Sequence, residues 1–316
     1  MKQRVLANDG IHPDGQARLE EAGYEVVTEK VPQERLADEL PGYQAICVRS
    51  ATKVRADLID ACPDLKVSGR GGVGLDNIDV DHARGKGIAV VNTPAASSRA
   101  VAELAFGHVF ALARFLHCAN RAFSPEGDFK ALKKAYAKGI QLEGRTLGVV
   151  GLGRIGREAA RIGLGLGMRV IGSDPYQDKV DIDLRIHGVG SAPVVRVTSM
   201  PLEELLEKAD VVTLHVPSQD GQPVIGPEQM RGVKAGAILV NTARGGLIDE
   251  DALLAALASG QVAGAGLDVF VGEPAPRAEL LGHERVSVSP HIGAATTEAQ
   301  RLIGLELADQ IIEILG

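Results

Sequence analysis

The sequence predicts an α/β fold with two doubly wound parallel sheets, each in its own lobe. The chain has 316 residues, which exceeds what one hydrophobic core usually organises. Short β-rich segments alternate with helical segments along almost the whole chain, a pattern that is typical of a parallel sheet. The 38 glycines follow no period and fit the many tight turns that such an alternation needs.

Composition and charge exclude several classes of protein. Hydrophobic residues make up 45% and charged residues 24% of the chain, which excludes a disordered or fibrous protein. The formal net charge of −7 argues against nucleic acid or an anionic membrane as a partner. No apolar segment reaches the ~18 residues that span a bilayer, and the N-terminal residues contain no apolar run with a cleavage site. We therefore expect a cytoplasmic protein.

The first lobe is predicted to contain five strands. They are expected at residues 4–7, 25–28, 45–48, 65–68 and 88–91. A long apolar helix is expected at 98–120, where it connects the lobes, and Ser97 or Ser98 is expected to cap it. Its apolar positions are too many for one buried stripe, so we expect it to contribute to a homodimer or homotetramer.

The second lobe is predicted to contain six further strands. They are expected at residues 146–150, 169–173, 211–215, 237–241, 264–269 and 286–289. Residues 179–198 show little periodicity and are expected to form an irregular excursion. The last helix, 296–315, is expected to return to the first lobe. The predicted domains are therefore 1–97 with 293–316, and 98–292, so the first lobe is discontinuous in sequence.

A glycine fingerprint directly follows the first strand of the second lobe. Gly151 permits a tight turn, Gly153 lets the backbone approach a pyrophosphate, and Gly156 permits close packing of helix on sheet. The helix that begins at Arg154 and Ile155 supplies free N–H groups and the positive end of its dipole. This context predicts a dinucleotide site in the second lobe. Both lobes are expected to be Rossmann-like, because strands and helices alternate in each of them.

Asp174 stands at the end of the next predicted strand, about twenty residues beyond the fingerprint. A carboxylate at this position accepts hydrogen bonds from both ribose hydroxyls and repels a 2′-phosphate. The sequence therefore predicts NAD, rather than NADP, as the cofactor. The structural alternative is a glycine turn followed by an ordinary strand-end carboxylate.

Three polar side chains, Arg244, Glu273 and His291, follow three strands of the second lobe. The carboxyl ends of parallel strands share one edge of a sheet, so we expect these side chains to lie together. Conversion of a 2-hydroxy acid to a 2-keto acid needs a proton acceptor, and histidine suits that role. Glu273 would hold the imidazole, and Arg244 would bind the substrate carboxylate through two donors. Taken singly, each residue has an ordinary structural or solvated alternative.

The segments N-T-A-R-G-G, L-D-V-F with E-P, and P-H-I-G-A surround these residues in that order. With the fingerprint, they make the chain similar to the D-isomer-specific 2-hydroxyacid dehydrogenases, and within them to the D-3-phosphoglycerate dehydrogenases. The resemblance covers essentially the whole chain and implies an NAD-dependent enzyme with Arg244, Glu273 and His291 as its catalytic set. It also implies cofactor contacts from Arg154, Ile155, Asp174, His215, Pro217, Thr242, Ala243, Asp268 and Gly293.

Two strand ends of the first lobe offer a site for a small anionic substrate. Successive backbone N–H groups in the glycine-rich turn can surround a carboxylate, while two arginines supply charge for a distal phosphate. The alternative is a glycine turn with two solvated arginines. With the resemblance, the site implies oxidation of 3-phospho-D-glycerate to 3-phosphohydroxypyruvate, a step of serine biosynthesis. The candidate substrate-binding residues are Arg49, Ser50, Arg70, Gly71, Gly72 and Val73.

Two other functions stay open at this point. A glyoxylate or hydroxypyruvate reductase of the same family shares every catalytic feature, and only Arg49 and Arg70 favour a phosphorylated substrate. A dinucleotide-sensing corepressor of this fold keeps the same catalytic residues, because fold alone does not establish function. The chain lacks the added interaction tails and the basic face that would favour such a corepressor.

The sequence departs from the family pattern at a few positions. Ser97 stands where relatives commonly have asparagine, which removes the amide that orients the substrate loop there. The chain ends at Gly316 after the last predicted helix, so we expect no C-terminal serine-sensing domain. Cys47, Cys62 and Cys118 are widely spaced in apolar stretches, and we expect inert buried thiols in a reducing compartment and no metal site.

Overall fold

A computed structural model describes residues 2–125, 127–186, 188, 190, 192–218 and 221–316. The chain divides into two units, the first comprising Met1–Ser98 with Ala294–Gly316 and the second Arg99–Gly293. Each unit contains a parallel sheet whose two faces are covered by separate apolar clusters. The predicted α/β fold with two doubly wound parallel sheets is confirmed.

The first unit is built on five parallel strands. They alternate with short helices in the order β1 (Arg4–Ala7), α1 (Pro13–Glu21), β2 (Glu25–Val27), α2 (Leu36–Glu39), β3 (Ala45–Val48), α3 (Ala56–Ala61), β4 (Val67–Arg70), α4 (Val80–Gly85) and β5 (Ala89–Asn92). The strands lie side by side in the order β2-β1-β3-β4-β5. The strand predicted at 65–68 begins two residues late, because the Leu65 amide donates to the Cys62 carbonyl and closes the turn after α3.

The second unit is built on six parallel strands. Its elements are α5 (Ser98–Ala113), α6 (Leu116–Ala122), α7 (Phe129–Ala135), β6 (Thr146–Val150), α8 (Arg154–Gly165), β7 (Arg169–Ser173), β8 (Lys179–Asp183), β9 (Val194–Thr198), α9 (Leu202–Lys208), β10 (Val211–Leu214), α10 (Pro227–Gly232), β11 (Ala237–Asn241), α11 (Glu250–Ser259), β12 (Val262–Leu267), α12 (Ala278–Leu281) and β13 (Val286–Val288). The sheet order is β13-β12-β11-β10-β6-β7. The chain thus leaves β6 toward β7 on one side and later continues through β10 on the other. Such a switch point is where open parallel sheets bind dinucleotides.

The helix predicted at 98–120 is broken, and this part of the prediction is wrong. α5 ends at Ala113, whose carbonyl accepts from the Ile140 amide, and Phe115 adopts a left-handed conformation with φ of 55°. Neither predicted serine caps α5: the Ser98 hydroxyl donates to the Pro94 carbonyl, and the Ser97 hydroxyl is buried without a partner among the described residues. No single helix in the described ranges is long and apolar enough to cross a membrane; α5 and α6 pass that test only together, with a bend of 65° between them.

Residues 179–198 do not form an irregular excursion, so this prediction is also corrected. β8 and β9 pair as an antiparallel hairpin, in which Val180 pairs with Val197 and Asp181 with Arg196. The first pair is buried against the helices of the second unit, whereas the second pair forms an exposed ion pair. Positions 187, 189 and 191 of this segment lie outside the described residues.

The last helix, α13 (Thr297–Leu315), follows β13 and packs in the first unit, as the sequence predicts. The Thr296 hydroxyl caps it by accepting from the Ala299 amide. α13 lies directly against α1, because a Cβ added to Gly15 would be 2.4 Å from the Gly304 carbonyl oxygen. Two glycines therefore set the distance between these helices.

Candidate active site

The glycine fingerprint lies at the end of β6, on the switch point of the second sheet. Gly151 has a φ of 91°, and a Cβ there would be 2.6 Å from the His215 carbonyl oxygen. A Cβ at Gly156 would be 1.9 Å from the Gly151 carbonyl oxygen, so α8 can approach the turn only with glycine there. Both positions need glycine for the close packing that the sequence predicts.

The start of α8 leaves room for an anion. Gly153 is the N-cap of α8, and nothing lies within 4 Å of the position that its Cβ would take. No described side chain caps this helix, so the first amides at Arg154 and Ile155 are left to a ligand. This geometry fits the pyrophosphate of a dinucleotide.

Asp174, directly after β7, faces the fingerprint turn. Its Oδ2 accepts from the Leu152 amide at 2.8 Å, and its Oδ1 accepts from the Tyr176 amide at 2.8 Å. Ser199, the residue after β9, accepts from the Asp174 amide at 2.8 Å and donates to its carbonyl at 3.1 Å. The carboxylate is thus fixed beside the turn, and the β8–β9 hairpin helps to hold it.

Two buried polar atoms at neighbouring strand ends lack a protein partner in the described part of the chain. They are Nδ1 of His215, after β10, and Oγ1 of Thr242, after β11. Burial lowers the pKa of His215 to about 3, so its imidazole is neutral at neutral pH. Buried polar atoms are rarely left unsatisfied, and these two fit a site that a polar ligand completes. Pro217 lies exposed just beyond His215.

A buried asparagine shapes the turn that carries Arg244. Asn241 accepts from the Ala243 amide at 3.1 Å and donates to the Arg244 carbonyl at 2.8 Å. A Cβ added to Gly245 would be 2.0 Å from the Phe270 carbonyl oxygen, so this turn lies against the loop that follows β12. The strand ends therefore bring the Arg244 turn and the Glu273 loop together.

Glu273 and His291 are in direct contact. His291 Nδ1 donates to Glu273 Oε2 at 2.8 Å, while Glu273 Oε1 accepts from the Phe270 amide at 2.9 Å. A carboxylate can only accept, so the ring proton of a neutral His291 lies on Nδ1. The lone pair of Nε2 is then available to a proton from a ligand.

Asp268, at the end of β12, holds the backbone that carries His291. Its carbonyl accepts from the His291 amide at 2.8 Å, and His291 itself has a left-handed backbone with φ of 53°. The fully buried carboxylate accepts from the Ser289 hydroxyl at 2.5 Å, the Ile292 amide at 2.9 Å and the Gly293 amide at 2.8 Å. The structure thus gives Asp268 and Gly293 a part in positioning His291 that the sequence does not reveal.

The predicted substrate residues of the first unit gather at the ends of β3 and β4. A Cβ at Gly71 would be 3.8 Å from Cγ of Arg49, and one at Gly72 would be 2.5 Å from a terminal nitrogen of Arg70. Both arginines therefore lie against the same glycine turn. Arg49 and Ser50 are exposed, and Arg49 also borders a cavity of about 280 Å³.

The predicted carboxylate nest in this turn needs a correction. The Gly71 amide donates to the Val48 carbonyl at 2.9 Å, and the Gly72 amide donates to the Thr93 hydroxyl at 2.8 Å. Both groups are therefore used inside the fold and cannot surround a ligand as the sequence suggests. Of the predicted set, the two hydrogen bonds leave only the role of the Val73 amide as a prediction.

Several positioning residues escaped the sequence analysis. Thr93 and Ser199 carry ordinary hydroxyls whose contacts depend on tertiary packing, and no local pattern identifies them. Asn77 donates to the carbonyls of Arg49 and Thr52, and no sequence pattern identifies it either. A better signal was available for His108, which is a polar residue within an apolar helical stripe.

The cysteines agree with the prediction in part. Burial raises the pKa of Cys47 to about 12 and that of Cys62 to about 11, so both thiols are protonated at neutral pH. Cys118 is only partly buried, and its thiol donates to the Glu284 carbonyl at 2.9 Å. Among the described residues, no group of three or more His, Cys, Asp or Glu side chains is arranged to hold a metal ion.

Comparison with known proteins gives consistent matches. The family profile for the D-isomer specific 2-hydroxyacid dehydrogenase, NAD binding domain, matches residues 106–293. A hydroxypyruvate reductase of Thermotoga maritima is 42% identical, and the match covers 100% of this chain and 99% of the relative. A D-3-phosphoglycerate dehydrogenase of Methanocaldococcus jannaschii is 43% identical over 99% of this chain, which spans only 57% of that relative. Among solved structures, an NADPH-dependent glyoxylate/hydroxypyruvate reductase from Sinorhizobium meliloti in complex with citrate superposes with a TM-score of 0.80 at 28% identity, covering 98% of this chain and 94% of that chain.

Proposed function

Because the chain belongs to the D-isomer specific 2-hydroxyacid dehydrogenases and binds NAD(H), we propose that it oxidises 3-phospho-D-glycerate to 3-phosphohydroxypyruvate with NAD. This reaction would place it in serine biosynthesis. Bound NAD supplies the hydride acceptor. The rest of the chemistry falls to side chains at the ends of β11, β12 and β13.

His291 acts as the acid/base group of this reaction. Its Nε2 accepts the proton of the C2 hydroxyl, since Nδ1 is already bonded to Glu273. The Glu273 carboxylate stabilises the charged imidazole that results, and the Phe270 amide keeps this carboxylate in place. Arg244 binds the substrate carboxylate and polarises the oxygen at C2 through its two-donor fork.

The proposal of a phosphorylated substrate rests on two arginines beside one glycine turn. Arg49 and Arg70 both lie against the turn at Gly71 and Gly72, and a guanidinium is the side-chain group best shaped to bind phosphate oxygens through paired donors. An unphosphorylated glycerate or glyoxylate presents no second anion for them. The relative from Methanocaldococcus jannaschii, a D-3-phosphoglycerate dehydrogenase, supports the same substrate.

Hydroxypyruvate reduction is the second candidate function. The Thermotoga maritima hydroxypyruvate reductase matches this chain from end to end, whereas the Methanocaldococcus jannaschii relative is much longer. Hydroxypyruvate differs from the product proposed above in lacking the phosphate. The two functions share the catalytic residues, and the use made of Arg49 and Arg70 distinguishes them.

Steady-state kinetics on matched substrates tests the proposal. With NAD, kcat/KM should be higher for 3-phospho-D-glycerate than for D-glycerate, and with NADH higher for 3-phosphohydroxypyruvate than for hydroxypyruvate. Arg49→Gln should lower kcat/KM for the phosphorylated pair by about tenfold or more, as expected for a lost charge-assisted hydrogen bond. The exposed Arg84→Gln provides the control and should change neither ratio.

Either of two results would contradict the proposed substrate. One is a preference for the unphosphorylated pair, which would favour the hydroxypyruvate reductase. The other is an equal loss on both pairs in Arg49→Gln, which would give this arginine no part in phosphate recognition. Absence of turnover on every 2-hydroxy acid and 2-keto acid of the panel would favour a dinucleotide-sensing protein of the same fold.

A further inference from the structure

A buried histidine of α5 reaches the loop that carries the candidate acid/base residue. His108 is 4% exposed, and both of its ring nitrogens meet serine hydroxyls. Nδ1 is 2.9 Å from Oγ of Ser287, in β13, and Nε2 is 2.9 Å from Oγ of Ser289, just after that strand. The imidazole therefore bridges two positions of the segment that leads to His291.

Glycines in β12 make this bridge possible. A Cβ added to Gly266 would lie 2.5 Å from Cβ of His108, and one added to Gly264 would lie 2.8 Å from Cδ2 of Leu112. Both contacts come from α5, so this helix packs unusually close to the backbone of β12. At this short distance the His108 imidazole extends across β12 to the end of β13.

The proton positions along these groups follow from what each can donate. Asp268 accepts from the Ile292 and Gly293 amides, which only donate, and it accepts the single hydroxyl proton of Ser289 at 2.5 Å. Ser289 must then accept from Nε2 of His108, which carries the ring proton. Burial lowers the pKa of His108, so the ring is neutral and its Nδ1 accepts from Ser287.

We propose that His108 is a positioning residue for His291 and acts through Ser289 and Asp268. The Nε2–H of His108 keeps the Ser289 hydroxyl turned toward Asp268. Asp268 then holds the three successive amides at 291–293, and with them the left-handed backbone from which the His291 imidazole projects. The inference rests on the proposed acid/base role of His291, but its geometry involves only residues of the second unit.

Two substitutions separate the two nitrogens of the ring. The amide of His108→Gln reaches about as far as Nε2 and can still donate to Ser289. The amide of His108→Asn is one bond shorter, so it reaches only about as far as Nδ1 and can still bond Ser287. Ser287→Ala is the matched control, because it removes the bond on the side away from Asp268.

Turnover is the first measurement, made with the substrate that the unchanged protein oxidises fastest in the panel above. His108→Asn should lower kcat by up to about 10²-fold, which is the effect of a displaced catalytic group, with the KM for NAD nearly unchanged. His108→Gln and Ser287→Ala should each keep most of the turnover. A residue that only fills space in the core would give similar losses in the Asn and Gln variants.

Backbone amide hydrogen exchange is the second measurement and needs no substrate or cofactor. In His108→Asn the amides of Ile292 and Gly293 should exchange about tenfold faster or more, the equivalent of one weakened hydrogen bond to a charged group. The amides of β12 should keep their protection. In His108→Gln all of these amides should exchange as in the unchanged protein.

The two measurements also separate failure of this inference from failure of the proposed function. If no 2-hydroxy acid is turned over, the proposed function fails, while amide exchange still decides whether His108 holds the loop. The inference is overturned if His108→Asn and His108→Gln behave alike in exchange at Ile292 and Gly293. It is equally overturned if β12 loses protection to the same extent, because His108 would then serve general packing.

Discussion

Among the single residues of the candidate active site, the two carboxylates already accept hydrogen bonds from donors of the protein. Glu273 accepts from His291 on one oxygen and from the Phe270 amide on the other, so the carboxylate has little freedom to turn. Asp268 is committed in the same way to the loop at 289–293. Such prior bonding keeps a catalytic group near its working geometry before substrate arrives.

The first prediction concerns the catalytic set. His291→Ala should lower turnover by about 10²–10⁴-fold, the usual loss when proton transfer is removed, and should leave NADH binding nearly intact. Glu273→Gln keeps a hydrogen-bonding group but loses the charge that stabilises the imidazolium formed in the reaction, so its loss of turnover should be smaller. Steady-state kinetics and NADH titration by fluorescence check both variants.

Arg244→Lys is the control for this set. It keeps the charge but loses the two-donor geometry, so it should raise the KM for the hydroxy acid as well as lower turnover. If His291→Ala retained most of its turnover, the proton acceptor would have to be sought elsewhere. His215 would be a poor substitute, because burial already lowers its pKa to about 3.

Cofactor choice is the subject of the second prediction. Asp174 is held against the fingerprint turn by the Leu152 amide, so its charge stands beside the turn. NAD should be strongly preferred over NADP, and Asp174→Ala should narrow the preference by removing both the ribose hydrogen bonds and the repulsion of a 2′-phosphate. The ratio of kcat/KM for the two cofactors is the measurement. Equal use of both by the unchanged protein would refute the assignment.

The third prediction links His215 to the pH dependence of stability. Its folded pKa of about 3 lies below the ordinary value of 6.5, so between these values the unfolded chain binds more protons. The stability that the neutral imidazole of His215 contributes is fully present above pH 6.5. It is lost as the pH falls toward 3, by at most about 1.4 kcal/mol per pH unit. Urea unfolding at pH 7.5 and about pH 5 should therefore show a smaller loss in His215→Gln than in the unchanged protein. Equal losses would show that His215 is not the group responsible.

Among the helices and strands, α8 contains two glycines that lie two residues apart but have opposite effects on stability. A Cβ at Gly163 would be 2.6 Å from Cδ2 of Leu147, which is fully buried in β6, whereas nothing lies within 4 Å of a Cβ at Gly165. Gly163 sets the distance between helix and sheet, and Gly165 only weakens the end of the helix.

The fourth prediction follows from that difference. Gly163→Ala should lower the free energy of unfolding by about 1–3 kcal/mol, as overpacking of a core does. Gly165→Ala should raise it by up to about 1 kcal/mol, because alanine is the better helix former. Chemical denaturation of the two variants under the same conditions checks both signs. The same sign in both variants would contradict the contacts described here.

The sequence predicts elements well where the pattern is local. All eleven parallel strands of the two sheets follow from apolar runs bounded by glycine or polar turns, with shifts of two residues at β4 and β12. The break at Phe115 was missed, because a left-handed residue inside an apolar run leaves no mark in periodicity. The β8–β9 hairpin was missed because each of its strands has only five residues, too few for a clear alternation.

In the candidate active site, too, some contacts can be predicted from the sequence and others cannot. The contact between His291 and Glu273 is predictable, since strand order alone brings these loops to one edge of the sheet. The amides of Gly71 and Gly72 were assigned wrongly, because their acceptors lie on β3 and after β5, far away in sequence. Which hydrogen bonds a loop makes to itself and which it leaves for a ligand depends on tertiary contacts.

In the molecule as a whole, the segment of the second unit from α5 to α7 has large apolar side chains that the described residues leave exposed. Four large side chains of α5, α6 and α7, or next to them, are more than two-fifths exposed: Phe110 at 43%, Leu116 at 55%, Phe123 at 62% and Phe129 at 63%. Phe123 and Phe129 contact each other edge to face, with ring centroids 6.1 Å apart. Exposed aromatic residues grouped in this way are typical of a protein interface.

The fifth prediction is that this surface joins two copies of the chain. A two-fold interface uses the same patch on both copies, so α5 to α7 of one copy would cover those of the other. At micromolar concentration the unchanged protein should sediment as a dimer, or as a tetramer that contains this dimer. Phe123→Ser with Phe129→Ser should shift the mass toward the monomer and lower the unfolding temperature. Val194→Ser provides the control, because Val194 is 61% exposed on the β8–β9 hairpin, outside the patch, and its loss should leave the mass unchanged. A well-folded monomer of the unchanged chain would leave α5 to α7 without a partner and would remove the prediction.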